Sequence, residues 1–219
     1  MFMEKYSNLK ELTKEFLKEY SMYNNVSLMD FNKLNKALKI KVIQNMVNIA
    51  SNDTIEVSYE QYKAIIEICL LDHPNQTYSL ANGYNFTKEY EVIYIAKEEP
   101  LIPINIEVTK EGEYFVDDNK SYVFLSNKIT HNYSNYFELC YNKLVFPLSI
   151  RQRKNGDKMT LKIGSKKLKD IFIDQKIPMS QRDRLLVIAN DHEVLWIPGI
   201  KKSHQDKTNK NILYVYEVE

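Results

Sequence analysis

The stretch that decides the fold of the C-terminal part runs from Phe146 to Asp157 and reads Phe-Pro-Leu-Ser-Ile-Arg-Gln-Arg-Lys-Asn-Gly-Asp. Leu148 and Ile150 alternate with polar residues, which predicts a strand with one face towards a hydrophobic core. Arg151 and Arg153 then share the other side of the extended chain, about 6–7 Å apart. Two guanidinium groups at that spacing suit successive phosphates of a nucleic-acid strand.

A second basic segment follows, from Gly164 to Asp174, and reads Gly-Ser-Lys-Lys-Leu-Lys-Asp-Ile-Phe-Ile-Asp. The spacing of Leu168 and Phe172 predicts an amphipathic helix with Ser165 as its N-cap. The first turn of that helix would hold Lys166, Lys167 and Lys169. The helix dipole disfavours cations there, and a Gly-Ser turn offers free backbone N–H groups, so an anion site is predicted. Three solvated surface lysines are the alternative.

Charge is unevenly distributed along the chain, although the net charge is only +1. Residues 1–145 carry 15 Lys and Arg against 20 Asp and Glu, whereas residues 146–219 carry 15 against 9. Within residues 151–202 the balance is 13 against 6. Such a basic segment indicates an anionic partner, nucleic acid above all, and a solvated lysine-rich face is again the alternative.

Hydrophobic periodicity predicts two domains and an α+β fold class. Residues 1–97 are expected to form a helical domain with a small strand pair. Residues 98–219 are expected to form a mixed, mostly antiparallel, β-rich domain with one or two short helices. The boundary lies close to Pro100 and Pro103, which prevent regular strand pairing.

The predicted elements of the two domains follow from local patterns. The helices of the first domain are expected over residues 6–20, from about 30 to 49, and from a capping box of Ser58 and Gln61. Its strands are expected over residues 77–80, 84–87 and 90–96. Strands of the second domain are expected over residues 104–108, 114–117, 122–125, 136–140 and 144–150, with a hairpin of 185–188 and 193–197. A second capping box, Ser180 to Asp183, predicts one short helical turn.

The distribution of several residue types argues against a catalytic site or a metal site in this chain. The four histidines, at positions 73, 131, 192 and 204, do not pair at metal-ligand spacing. Neither a metal site nor a catalytic site is therefore predicted. Cys69 and Cys140 are expected to be buried free thiols, and Trp196 is expected to belong to the core. Because no apolar run approaches a membrane span or a signal peptide, a cytoplasmic protein without membrane contact is expected.

The ordered motifs of the last third resemble the C-terminal domain of tRNA(Ile)-lysidine synthetases, the TilS family. The matched positions are Pro147 to Arg151, Arg153, Lys154, Gly156, Asp157, Gly164 to Asp170, Phe172 to Asp174, Lys176 to Pro178, Arg182, Asp183 and Leu195 to Gly199. The first half resembles the helical substrate-binding domain of the same family more loosely. The chain departs from the family pattern at Leu185 and Leu186, where an aromatic residue and a proline are usual, and at Lys201, where arginine is common.

The resemblance implies an enzyme that uses ATP to join lysine to the wobble cytidine of tRNA(Ile) bearing a CAU anticodon. In the family this chemistry belongs to an N-terminal ATP-pyrophosphatase domain with a Ser-Gly-Gly-x-Asp-Ser phosphate loop. The five glycines of this chain include no adjacent pair, so no cofactor is expected here, and ATP and Mg²⁺ are expected in the full-length enzyme. The chain is therefore expected to be the C-terminal half of a larger enzyme, as an expressed fragment or a natural split.

By resemblance, this chain binds the acceptor-stem side of the tRNA and orients the anticodon loop towards the N-terminal domain. The motif region, residues 146–202, supplies the predicted tRNA-binding residues: Arg151, Arg153, Lys154, Ser165, Lys166, Lys167, Lys169, Lys176, Arg182 and Lys201. A homodimer is compatible with the resemblance. Two alternatives stay open: a protein-interaction or scaffold module whose basic face is only solvated, and an enzyme with an unrecognised site.

Overall fold

The computed structural model describes residues 25–130, 132–140, 146–204 and 211–218. It divides the chain into two compact units, Met1–Pro100 and Leu101–Glu219. The described residues are rich in β-strands and contain few helices, in agreement with the predicted α+β class. The helix predicted over residues 6–20 lies outside the described residues.

The first unit combines helices with a larger sheet than the sequence predicts. Its helices are α1 (Leu28–Lys33), α2 (Lys36–Ser51) and α3 (Tyr59–Leu70). Its strands, in the sheet order β1-β4-β3-β2, are β1 (Asn25–Ser27), β2 (Asn75–Ser79), β3 (Tyr84–Glu89) and β4 (Val92–Lys97). The expected strand pair is thus a four-stranded antiparallel sheet. Because β1 has three residues and pairs with a strand distant in sequence, it carries no local pattern that reveals it.

Side-chain caps explain where the helices of this unit begin. The predicted capping box is confirmed, since the Ser58 hydroxyl accepts from the Gln61 backbone N–H and the Gln61 side chain accepts from the Ser58 N–H. The helix predicted from about residue 30 to 49 is divided into α1 and α2. The side chain of Asn35 accepts from the backbone N–H of Leu38 at 3.0 Å and starts a new helix there.

The core of the first unit lies between the helices and the sheet. It contains Val42, Ile43, Met46 and Val47 of α2, Ile65 and Cys69 of α3, and Phe86, Ile93 and Ile95 of the strands. Cys69 is a buried free thiol, as predicted. Burial raises the pKa of that thiol to about 12, although the nearby ammonium groups of Lys88 and Lys39 oppose the shift. The Cys69 thiol is therefore protonated and unreactive at neutral pH.

The described residues of the second unit form two sheets and two short helices. One sheet is four-stranded, in the order β6-β7-β15-β8: β6 (Gly112–Asp117), β7 (Lys120–Leu125), β15 (Ile212–Val218) and β8 (Asn135–Cys140). The other is seven-stranded, in the order β11-β10-β13-β12-β9-β5 with β14 beside β13. Its strands are β5 (Asn105–Val108), β9 (Leu148–Gln152), β10 (Lys158–Thr160), β11 (Ser165–Lys167), β12 (Leu186–Asn190), β13 (Glu193–Ile197) and β14 (Lys201–Lys202). The helices are α4 (Leu168–Asp174) and α5 (Met179–Arg182).

Two hydrophobic clusters fix the layers of the second unit. The first lies between the two sheets and includes Leu148 and Ile150 of β9, as predicted, together with the fully buried Trp196. The second lies on the other face of the seven-stranded sheet, where Leu168 and Phe172 of α4 pack. The side of β9 opposite to Leu148 is therefore covered by protein, which decides the environment of the neighbouring arginines.

Candidate functional site

A cleft of about 450 Å³ lies beside the end of β9. Its lining consists of Arg153, Lys154, Asn155, Gly156, Asp157, Lys167, Leu168, Lys169 and Asp183. Four of these residues were predicted from the sequence to bind tRNA: Arg153, Lys154, Lys167 and Lys169. The fold thus brings together two basic segments that are separated by a strand and a hairpin turn.

The wall that carries Lys167 is a strand rather than the predicted helix. Ser165–Lys167 forms β11 and pairs with β10, so Ser165 is opposite Thr160 and Lys167 is opposite Lys158. The positive φ of Gly164, +72°, allows the tight turn that reverses the chain before β11. Helix α4 begins only at Leu168, without a side-chain N-cap. The prediction of Ser165 as an N-cap is therefore wrong, because hairpin pairing takes up this segment.

The first turn of α4 is also less basic than predicted. Lys169 lies in it, but Lys166 and Lys167 belong to β11. Asp170 occupies the same turn, where its negative charge is favourable to the helix dipole. Two of the three lysines therefore belong to a strand, and only Lys169 lies at the helix N-terminus. What remains of the prediction is a local concentration of positive charge.

Arg153 follows the end of β9 and keeps a partly exposed side chain. Its Nε donates to Oδ1 of Asp183 at 2.6 Å, with 31% of the Arg153 side chain and 56% of the Asp183 side chain exposed. Asp183 ends helix α5, which begins at Met179 directly after Pro178. The predicted capping box from Ser180 to Asp183 is therefore wrong: Asp183 lies at the C-terminal end of this turn and contacts Arg153.

Arg151 lies in the interior, contrary to the predicted pair of exposed arginines. Only 1% of it is exposed. Its Nη1 and Nη2 donate to the two carboxylate oxygens of Asp157 at 2.8 and 2.9 Å, and they also donate to the carbonyl oxygens of Gln152 and Asp191. Asp157 and the turn at Asp191 thus cover the guanidinium group of Arg151. The guanidinium group of Arg151 is therefore not accessible to a phosphate in this structure.

The buried carboxylate of Asp157 shapes the floor of the cleft. Its Oδ2 accepts from the backbone N–H of Lys154 at 2.7 Å, which closes the turn predicted over residues 155–157. Its backbone carbonyl accepts from the N–H of Leu168 at 2.9 Å, at the start of α4. The Arg151–Asp157 pair thus joins both walls of the cleft, and Gly156 makes the turn possible with a φ of +92°.

The other predicted tRNA-binding residues do not line the cleft. Lys166 forms an ion pair with Asp174 on the opposite side of β11 from Lys167. Arg182 donates from Nε to the carbonyl oxygen of Ile177 at 2.9 Å. Lys176 lies exposed after α4, and Lys201 is opposite Ile197 in β14. Ser165 is exposed on β11. These five residues are therefore spread around the basic region instead of converging.

One basic residue near the cleft is absent from the sequence prediction. Lys158 is exposed on β10 and directly opposite Lys167. Like charges at such a position destabilise a sheet. The pattern from Ser165 favours a helix, so the sequence does not indicate the pairing of Lys158 with Lys167. The turn at Gly164 is the signal that could have revealed it.

The comparison with known families concerns the same part of the chain. Residues 148–215 match the model described as TilS substrate C-terminal domain. This part of the chain belongs to the TilS family. The resemblance recognised in the motifs between Pro147 and Gly199 is thereby confirmed, and the TilS C-terminal domain contains every residue that lines the cleft.

Similar proteins extend the match beyond the TilS C-terminal domain. The chain is 31% identical to the bifunctional protein TilS/HprT of Listeria monocytogenes, over 93% of this chain and 33% of that protein. It is 35% identical to the tRNA(Ile)-lysidine synthase of Bacillus subtilis, over 54% of this chain and 23% of that protein. The chain thus spans about a third or less of the length of these relatives. A crystal structure of a TilS C-terminal domain aligns with 27% identity and a TM-score of 0.41, over 52% of this chain and 96% of that one.

Three further observations concern the described residues alone. None of the helices in the described ranges has the length and apolar character needed to cross a bilayer. Within the same ranges, no group of three or more His, Cys, Asp or Glu side chains is arranged to hold a metal ion. Cys140, like Cys69, is a buried free thiol.

Proposed function

We propose that this chain is the tRNA-binding C-terminal portion of a tRNA(Ile)-lysidine synthase, an ATP-dependent ligase. That enzyme would join lysine to the wobble cytidine of the CAU anticodon of tRNA(Ile). The chain would bind and orient the tRNA, and an N-terminal ATP-pyrophosphatase domain of the same enzyme would perform the chemistry. The names of the relatives and the TilS C-terminal domain support this assignment.

The observation that carries the proposal is the convergence of four basic side chains on one cleft. Lys154, Lys167 and Lys169 are exposed, and Arg153 is partly exposed. RNA backbones present a regular series of negative phosphates, and Lys and Arg contacts to them position a nucleic acid without reading its sequence. A cleft of about 450 Å³ has the size of a pocket for a small ligand and is large enough for a phosphate with part of its nucleotide.

The acidic residues of the cleft do not cancel this charge. Asp157 is neutralised by Arg151, with which it forms a buried two-point ion pair. Asp183 is the only other carboxylate among the lining residues, against four cations. The neighbouring Lys158 adds a further positive charge opposite Lys167. The surface therefore keeps an excess of positive charge at the point where the family motifs converge.

We also propose that ATP and Mg²⁺ bind outside the described site. A nucleotide phosphate loop needs several glycines whose backbone N–H groups converge, and Gly156 is the single glycine of the cleft lining. We therefore assign no step of the ligation to these residues. The contribution of this chain to the reaction would be positioning: a misplacement of about 1 Å can lower a reaction rate on the order of 100-fold.

Binding to tRNA(Ile) transcripts tests the proposal directly. The quadruple variant R153A/K154A/K167A/K169A should bind about tenfold more weakly or worse, because up to four phosphate contacts are lost. The salt dependence should also decrease, by about 0.7–0.9 in the log–log slope for each lost contact. Fluorescence anisotropy over a range of salt concentrations measures both quantities.

A charge-matched control separates the cleft from general attraction. One variant replaces Lys167 and Lys169 with Ala. The control variant replaces Lys110 and Lys128, two exposed lysines that precede the motif region in sequence. Only the first double variant should lose affinity beyond the small effect of lower net charge. Equal losses would refute the cleft as the binding site. No binding by the unaltered chain at low salt, together with a stable protein partner, would favour a protein-interaction module instead.

A further inference from the structure

Asp183 is an acidic residue at the edge of a basic cleft. Its carboxylate lines the cleft and lies 2.6 Å from Nε of Arg153. A negative charge there lowers the potential that attracts an RNA phosphate. Exposed ion pairs contribute little to folding stability, and more than half of the Asp183 side chain is exposed. Neither bulk electrostatics nor stability accounts for a carboxylate at this place.

The contact with Arg153 is made from one edge of its guanidinium group. A guanidinium carries five N–H donors in a rigid plane, and Asp183 takes the one on Nε. Among the described residues, no contact to Nη1 or Nη2 of Arg153 is found. The four N–H groups on these two nitrogens therefore stay available on the planar fork that binds a phosphate at two points.

Hydrogen bonds of a closed turn hold the backbone next to Asp183. Arg153 lies beyond the end of β9, outside regular structure. Asp183 ends α5, and the carbonyl oxygen of Gln181 accepts from the N–H groups of both Arg184 and Leu185, at 2.9 and 3.1 Å. The long side chain of an arginine loses considerable rotamer entropy when it is fixed. A carboxylate on a closed helical turn can supply that restraint before a ligand arrives.

We propose that Asp183 is a positioning residue for RNA binding. It holds Arg153 from the Nε edge, so that the terminal N–H groups contact a backbone phosphate of an RNA bound in the cleft. This inference rests on the proposed function, since it assumes that the cleft binds RNA. It goes further because it assigns a binding role to an acidic residue, Asp183, whose negative charge by itself repels the phosphates of RNA.

The inference and simple electrostatics predict opposite signs for one substitution. Removal of the Asp183 charge raises the net charge by one unit, so electrostatics alone predicts tighter RNA binding by D183A. Positioning predicts weaker binding, by about two- to tenfold, because Arg153 must then be immobilised when RNA binds. In the R153A background, D183A should cause no further loss.

The experiment uses the full 219-residue chain and a tRNA(Ile) transcript at two salt concentrations. The variants are D183A, R153A and R153A/D183A, which form a double-mutant cycle, and D183N, whose amide oxygen can still accept from Nε. D118A is the charge control, since Asp118 is an exposed residue of the turn between β6 and β7. Thermal unfolding of each variant checks that the fold is kept.

The expected result is weaker binding by D183A, binding by D183N at least as tight as wild type, and no loss by D118A. Tighter or unchanged binding by D183A would overturn the inference, and so would an additive loss in R153A/D183A. Unchanged binding by R153A, while K167A/K169A binds weakly, would overturn it as well and leave the proposed function standing. No RNA binding by the unaltered chain would refute both.

Discussion

Arg151 and Arg153 are two residues apart in one motif, and each contacts an aspartate, yet the two ion pairs lie in opposite environments. The Arg151–Asp157 pair is almost completely buried, with 1% and 0% of the two side chains exposed. The Arg153–Asp183 pair lies at the edge of the cleft, with 31% and 56% exposed. The same pair of residue types, arginine and aspartate, is thus buried at one position and exposed at the other.

The difference separates the part of the motif that supports the fold from the part that is accessible to a ligand. A buried charge is tolerated only when it is paired and hydrogen-bonded, so Arg151 and Asp157 depend on each other. An exposed pair is screened by water and contributes little to stability, so Arg153 and Asp183 are free to serve binding. A motif of two arginines at this spacing therefore does not imply two phosphate contacts.

The largest expected effect is the loss of stability in R151M. Its free energy of unfolding should decrease by about 3–5 kcal/mol, because Asp157 would be left buried without a counter-charge. Urea unfolding followed by tryptophan fluorescence measures it, since the single Trp196 is buried in the same unit. R153M is the matched control and should lose at most about 1 kcal/mol. Similar losses in the two variants would contradict the distinction between the pairs.

A second buried charge, Glu217, extends the comparison to the four-stranded sheet. Its Oε1 accepts from Tyr122 at 2.9 Å and lies 2.6 Å from Nζ of Lys120, while its Oε2 accepts from Asn135 at 2.6 Å. Burial by itself would raise the pKa of Glu217, but the contacts with Lys120, Asn135 and Tyr122 outweigh it and hold the pKa below the ordinary 4.5.

Acid should therefore weaken the fold through Glu217. Because its folded-state pKa is lowered, its contribution is complete above the ordinary value of 4.5 and is lost as the pH falls through the folded-state pKa. At neutral pH, E217Q should lose about 1–3 kcal/mol of stability, and the gap to wild type should narrow under acid conditions. Urea unfolding between pH 7 and 3 measures this, with E138Q on the partly exposed Glu138 as control. A constant gap would contradict the assignment.

Local patterns of the sequence predicted the elements whose signals lie within a few residues. The capping box of Ser58 and Gln61 determines the start of α3 without reference to the rest of the chain. The hairpin of β12 and β13 and the buried position of Trp196 also follow from short-range alternation. Of the residues that the motifs predict to bind tRNA, four line the cleft: Arg153, Lys154, Lys167 and Lys169.

Features that depend on distant pairing were not predictable in the same way. Strand β15 is central to its sheet, between β7 and β8; its nearly continuous apolar run is typical of a buried strand but does not identify these two partners. The burial of Arg151 depends on the turn that carries Asp157 and on the distant residue Asp191. The partner of Arg153, Asp183, is thirty residues away in sequence. These facts belong to tertiary packing, for which single-sequence patterns carry no signal.

The smallest expected effect concerns the exposed lysine pair of Lys158 and Lys167. Their positions are directly opposite on β10 and β11, where like charges repel. K158T should therefore raise the free energy of unfolding by about 0.2–1 kcal/mol, since it removes the repulsion and introduces a residue that favours strands. The same substitution should weaken tRNA binding slightly and reduce the salt dependence. K110T, away from this strand pair, should change neither property. A stability loss in K158T would mean that Lys158 supports the fold. Higher stability with lower affinity would instead show that the exposed charge near the cleft serves binding and destabilises the fold. The buried Arg151–Asp157 pair differs in this respect, because its charges stabilise the fold.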